Sequence, residues 1–191
     1  EIPARVHEAL RRYQSTRSAS FLDWTSNGSG VLISTRFGET YQVHRVARPG
    51  GAREQVTFAA EPIGGAISAM WEQREGFFFL KDTGGSEAYH LFFFDQATGR
   101  FEQVTQAPEQ PAARFVNPKL SHDGRWLSFT GTARNGKDYD LWRLDLQSDK
   151  RTPEKLLNRE GYWQVQDWSP DGSEMLLLNY TSSTEASLYR Y

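Results

Sequence analysis

Four histidines, His7, His44, His90 and His122, are the side chains of this sequence best suited to proton transfer or metal binding. Their separations match no ligand pattern: His-Glu-x-x-His is absent and there is no Cys to complete a zinc set. The reading is no metal and no cofactor, with His122 a solvated turn residue and His44 and His90 packed or hydrogen-bonded at a sheet surface. Ser and Asp are abundant but cluster in turns, where they satisfy backbone donors. No Gly-x-Ser-x-Gly sets a serine on a strained strand-to-helix turn, so no residue receives a catalytic role. Gly50-Gly51, Gly64-Gly65 and Gly84-Gly85 lack the lysine of a phosphate loop and read as connections. Asp23-Trp24 and Asp167-Trp168 offer an acid beside an aromatic platform. Their recurrence favours structure instead, with Trp packed between sheets and Asp bonded to the neighbouring turn.

The elements behind these residues are announced by a recurring phrase. Thr25-Ser26-Asn27-Gly28, Ser121-His122-Asp123-Gly124 and Ser169-Pro170-Asp171-Gly172 each place a hydroxyl first, Asn or Asp third and Gly fourth, as a type I turn with a left-handed fourth residue requires. Apolar runs flank each phrase, so each reads as the bend of a β-hairpin, with Thr25, Asn27, Gly28, Ser121, Asp123, Gly124, Ser169, Asp171 and Gly172 as structural turn residues. Gly28 and Gly124 lie 96 positions apart, and Gly124 and Gly172 lie 48 apart. A fourth copy belongs near Gly76, eroded and with a shorter turn. Tyr41 with Tyr89, and Val56-Thr57 with Val104-Thr105, keep the same 48-residue period.

A chain of 191 residues with 38% hydrophobic residues buries an ordinary core. A net charge of −2 without a basic cluster gives no footprint for nucleic acid or an anionic membrane. The apolar runs are strand-sized and far short of a membrane span. The first residue is Glu1 rather than Met, so an upstream segment, a signal peptide included, is removed or not supplied, and cytoplasm and periplasm both stay open.

Along the chain, Ile2 to Gln14 reads as a short amphipathic helix, with Val6, Leu10 and Tyr13 on one face and Arg11, Arg12 and Arg17 solvated. Residues 1–18 form this N-terminal segment. Repeats of four strands follow at about 19–60, 64–107, 114–158 and 162–191. The first has strands at Ser20–Trp24, Val31–Arg36, Tyr41–Ala47 and Glu54–Phe58; in the second the last strand is Phe101–Thr105. The fourth repeat has three strands only. Four-stranded units of this length are the signature of an all-β propeller, in which each small sheet buries both faces by stacking on its neighbours.

Ser-Pro-Asp-Gly after an aromatic residue, together with Asp140-Leu141-Trp142-Arg143-Leu144-Asp145, resembles the TolB-type repeat, a relative of the WD repeat. Ile2-Pro3-Ala4-Arg5-Val6, the stretch from Arg17 to Trp24, Ile33 to Gly38, and Pro49 to Phe58 are similar to the start of bacterial peptidases of the prolyl oligopeptidase family. That resemblance implies a propeller capping a C-terminal α/β-hydrolase domain absent from this chain. The implied reaction is hydrolysis of short peptides by a Ser-Asp-His triad, with the propeller limiting access. The alternative is a stand-alone TolB-like propeller that binds a protein or a small ligand.

A binding surface is expected on one rim, at the loops between second and third strands: Arg36 to Thr40, Lys81 to Ala88, Gly131 to Asp138 and Tyr180 to Glu185. Arg36, Lys81, Arg134 and Lys137 are its candidate binding residues. An arc of four blades that does not close leaves two open edges, through which the chain is expected to form a homo-oligomer.

Overall fold

A computed structural model describes residues 3–14 and 17–191; Ile2, read as the start of the helix, and the side chain of Arg12 lie outside the described residues. The helix, α1 (Ala4–Gln14), leaves its apolar stripe of Val6, Leu10 and Tyr13 exposed.

Among the described residues fifteen strands follow in four antiparallel meanders, and within each meander every strand pairs with the next in sequence. Blade 1 holds β1 (Ser20–Trp24), β2 (Val31–Thr35), β3 (Gln42–Val46) and β4 (Glu54–Gln55). Blade 2 holds β5 (Gly64–Trp71), β6 (Arg74–Lys81), β7 (His90–Asp95) and β8 (Arg100–Gln103). Blade 3 holds β9 (Phe115–Leu120), β10 (Trp126–Gly131), β11 (Asp140–Asp145) and β12 (Glu154–Leu157). Blade 4 has three strands, β13 (Tyr162–Trp168), β14 (Met175–Ser182) and β15 (Glu185–Arg190). The sheets form an open arc of a β-propeller, with β1, β5, β9 and β13 in contact in series along its inner side.

The core is laid between blades, which explains runs that are apolar at every position. In β6, Phe77 and Phe79 point toward blade 1 and join Leu32, Val43 and Ile63. Phe78 points the other way and joins Phe115, Leu127 and Phe129 of blade 3. Cross-strand ring pairs reinforce both layers: Phe77 stacks on Phe94 at 4.8 Å and Phe78 meets Phe93 at 4.9 Å. Burial of each ring contributes roughly 1.5–3 kcal/mol. A third cluster, Trp163, Val165, Trp168 and Leu177 against Leu141, joins blades 3 and 4.

Each inner strand also carries an irregularity in its pairing, at Phe21/Asp23, Gly64/Ile67, opposite Ser128/Thr130 and at Val165/Asp167. Such bulges raise local twist where strands crowd together. In β9 the bulge carries Asn117 at φ 53°.

The structure departs from the sequence reading in specific places. The eroded second hairpin turns at Glu72-Gln73, both with positive φ, as a two-residue hairpin does; Gly76 is not its turn but lies inside β6. A Cβ on Gly76 would stand 1.9 Å from the Phe94 carbonyl oxygen and 2.6 Å from the Phe93 ring, so glycine is there for close packing. Strands β4 and β8 stop short of Phe58 and Thr105 because a threonine replaces the ladder. The Thr57 hydroxyl accepts the Val43 amide at 2.9 Å, and the Thr105 hydroxyl accepts the Leu91 amide at 3.0 Å. The span from Tyr180 to Glu185, read as a rim loop, is mostly strand, with a tight turn at Ser183-Thr184.

Candidate functional site

The loops between second and third strands meet the connections between blades, and the charged residues there are largely committed to those junctions. Lys81 is buried; its Nζ donates to Glu61 Oε2 at 3.0 Å and to the Asp82 carbonyl at 2.9 Å. The Lys81 ammonium in turn holds the Glu61 carboxyl below the usual range. Arg134 donates through Nε to both oxygens of buried Asp140 at 3.1 Å and through Nη2 to the Arg159 carbonyl at 3.2 Å. Beside it, Asp138 accepts the Gly161 amide at 2.9 Å, the leading cause of its lowered pKa. The Arg36 guanidinium lies 5.5 Å above the Tyr41 ring, and Lys137 is exposed on its loop. Arg134 and Lys137 share one loop of blade 3, whereas Arg36 follows β2 in blade 1 and Lys81 is the last residue of β6 in blade 2. The feature of this rim not singled out from sequence is a run of tyrosines: Tyr139 lies 4.4 Å from Tyr162, which lies 6.1 Å from Tyr180. Its sequence signal is Tyr41 and Tyr89, which keep the 48-residue period.

The histidines serve the sheets. His44 is wholly buried, with Nδ1 3.1 Å from the Gln42 carbonyl and its ring against Phe37, rather than at a sheet surface. His90 meets the Thr105 carbonyl at 3.1 Å, and burial lowers its pKa. His122 is exposed yet reaches the Trp168 carbonyl of blade 4 at 3.1 Å. Among the described residues no group of three or more His, Asp or Glu side chains is arranged to hold a metal ion. No helix among them is long and apolar enough to cross a membrane.

The opposite rim is built from the recurring turns. In each, the first hydroxyl accepts the backbone amide five residues on: Thr25 from Gly30 at 3.0 Å, Ser121 from Trp126 at 2.8 Å and Ser169 from Glu174 at 3.0 Å. The third residue accepts from that hydroxyl, Asn27 at 2.9 Å and Asp123 and Asp171 at 2.6 Å. Gly28, Gly124 and Gly172 take the left-handed fourth position at φ 68°, 72° and 70°. These bonds, from Ser169 first and then Ser173, pull the Asp171 carboxyl down to about 2. Neighbouring blades touch here, with Ser26 of the first turn donating to Glu75 of β6 at 2.7 Å. A basin of about 790 Å³ opens here among Ser26, Glu72, Gln73, Asp123 and Asp149. It lies on the rim that the sequence reading assigned to structure alone, because separate blades supply its acids and no linear motif marks it.

Asp23 and Asp167 each accept the amide of the following Trp, at 2.8 and 2.9 Å. Asp23 also accepts the Ser68 amide of blade 2 at 2.8 Å, and Asp167 stands 3.8 Å from His122.

The fold so defined is that of a TolB-like β-propeller. No family model matches the sequence. Over 141 residues the chain is 28% identical to dipeptidyl aminopeptidase BIII of Pseudoxanthomonas mexicana, covering 73% of this chain and 19% of that protein. The chain thus spans about a fifth of the length of this curated relative. Among solved structures, a prolyl endopeptidase superposes with a TM-score of 0.70 at 14% identity, covering all of this chain and 30% of that one. TolB from Acinetobacter baumannii superposes with a TM-score of 0.63 at 14% identity, covering 91% of this chain and 41% of that one. The chain resembles the TolB-like propeller region of a prolyl-oligopeptidase-family peptidase.

Proposed function

We propose that this chain is the non-catalytic propeller cap of a serine peptidase of the prolyl oligopeptidase family, gating access of short peptides to a C-terminal α/β-hydrolase domain outside the chain. The observation that carries this reading is the 28% identity to a dipeptidyl aminopeptidase over most of the chain. In this reading residues 1–18 are a segment outside the propeller and 19–191 are its first blades. The nine turn residues are structural, and Arg36, Lys81, Arg134 and Lys137 belong to a rim that borders the passage. Substrate gating then follows from the width of the arc's inner side rather than from any reactive side chain.

The test is the coding sequence downstream of Tyr191 with an assay of its product. A Gly-x-Ser-x-Gly followed by Asp and then His, and cleavage of a dipeptidyl p-nitroanilide by the whole protein, support the reading. A stop after a few more blades contradicts it and favours the second reading, a stand-alone TolB-like binding propeller, for which the match to TolB over 91% of this chain speaks. On its own the chain associates through the open face of blade 1, where Phe21 and Trp24 are exposed, and the open edge of β15. Light scattering that finds only monomer at high concentration contradicts this.

A further inference from the structure

Between blades 2 and 3 a cleft opens beside the last strand of blade 2, remote from both open edges of the arc and running from the turn at Glu72 toward the connection into blade 3. Its inner half, about 340 Å³, is walled by Trp71, Phe115, Phe129 and Trp142 and mouthed by Glu102 and Arg151. Its outer half, about 320 Å³, continues past Gln103 and Gln106, which line both halves, to His90 and Pro108. The cleft therefore runs alongside β8. That strand is the last of its sheet and pairs on one side only, with β7, so its other edge offers backbone donors and acceptors.

Two further features describe an occupant. The indole Nε1 groups of Trp71 and Trp142 are buried without a hydrogen-bond acceptor, so both rings can adjust to an inserted group without giving up a bond. Three carboxylates, Glu72, Asp95 and Glu102, share the ion-pair network of Arg74 and Arg151 at one end of the cleft, and Lys155 stands 5.4 Å from the Trp142 ring. Arg151 closes the mouth, forked onto Glu72 at 2.6 and 2.5 Å with its guanidinium carbon 5.9 Å above the Trp71 ring. Its own side chain thus shows what the site accepts, a cation over an aromatic floor between carboxylates.

We infer that this cleft is a docking site for an extended peptide that adds to the edge of β8, inserts an aromatic or large apolar side chain between Trp71 and Trp142, and sets a Lys or Arg against Glu72 and Glu102. Edge pairing supplies affinity and the aromatic pocket supplies the choice of sequence. The inference is independent of any peptidase activity, because the cleft is lined by none of Arg36, Lys81, Arg134 and Lys137, the residues assigned to the border of the passage.

The test selects a displayed random heptapeptide library on the immobilised 191-residue chain, then measures the enriched peptides, fluorescein-labelled, by polarisation. Enriched sequences are expected to carry Phe, Tyr or Trp within two positions of Lys or Arg. Thr152→Trp fills the cleft from an exposed position and is expected to weaken binding about tenfold or more. Arg151→Ala removes the competing cation and is expected to tighten binding several-fold, a gain that a merely structural role does not produce. Unchanged circular dichroism and melting of both variants hold the comparison to binding. Absence of enrichment, insensitivity to both variants, or loss of binding on Trp24→Ser overturns the inference; the last outcome assigns the binding to the open face of blade 1.

Discussion

The indole of Trp168 in blade 4 donates a 3.0 Å hydrogen bond to the hydroxyl of Ser128 in blade 3. Trp24 occupies the matching register in blade 1, paired with Val31 as Trp168 is paired with Met175, yet it is 60% exposed while Trp168 is 4% exposed. One position in the repeat is a core residue where a preceding blade lies against it and a surface residue where none does. Phe21 and Val165 repeat the contrast at 59% and 1%.

Ser128→Ala is expected to leave the buried indole with only the longer 3.3 Å contact to the Lys119 carbonyl. The loss is about 1–2 kcal/mol, read as a lower urea midpoint. Trp24→Ser is expected to change stability by less than about 0.5 kcal/mol, as exposed substitutions do.

Gly76→Ala is expected to cost more than about 3 kcal/mol, since the added methyl meets backbone that cannot yield. Gly28→Ala meets nothing within 4 Å and is expected to cost about 1–2 kcal/mol, from its left-handed backbone alone. Thermal melts of the two variants separate the two causes.

The repeat and its turns were legible because spacing and turn chemistry are local. The value of Gly76 was not, because its requirement comes from Phe93 and Phe94 across the sheet. Likewise Val56-Thr57 and Val104-Thr105 announced a period without announcing that the threonine hydroxyl ends a strand. The basin beside Asp123 and the cleft beside Trp142 are assembled from different blades, and no single stretch of sequence carries either.

Thr105→Val keeps the shape and removes the acceptor for the Leu91 amide. A loss of about 1–3 kcal/mol is expected, with Thr57→Val giving a similar loss at the Val43 amide. Faster hydrogen exchange at those two amides marks the cause.

The carboxyl of Asp171 is expected to titrate near 2, against an ordinary 3.8, and Ser169→Ala is expected to raise it. Because its folded pKa is depressed, its contribution to stability is present above 3.8 and fades as pH falls toward 2. Carbon-detected NMR titration of the carboxyl reads the shift.

His90 adds a pH dependence at higher pH. Burial lowers its folded pKa below 6.5, so its contribution is present above pH 6.5 and is lost as acid forces the proton on. His90→Gln is expected to flatten the decline in melting temperature below that pH.

The reading of this chain as a cap without catalytic groups is tested most directly by labelling the natural protein that carries it with a fluorophosphonate and mapping the modified peptide by mass. The account predicts one labelled serine, on a peptide outside residues 1–191 and within Gly-x-Ser-x-Gly. A natural protein that takes no label, or a label on a serine within these 191 residues, contradicts it.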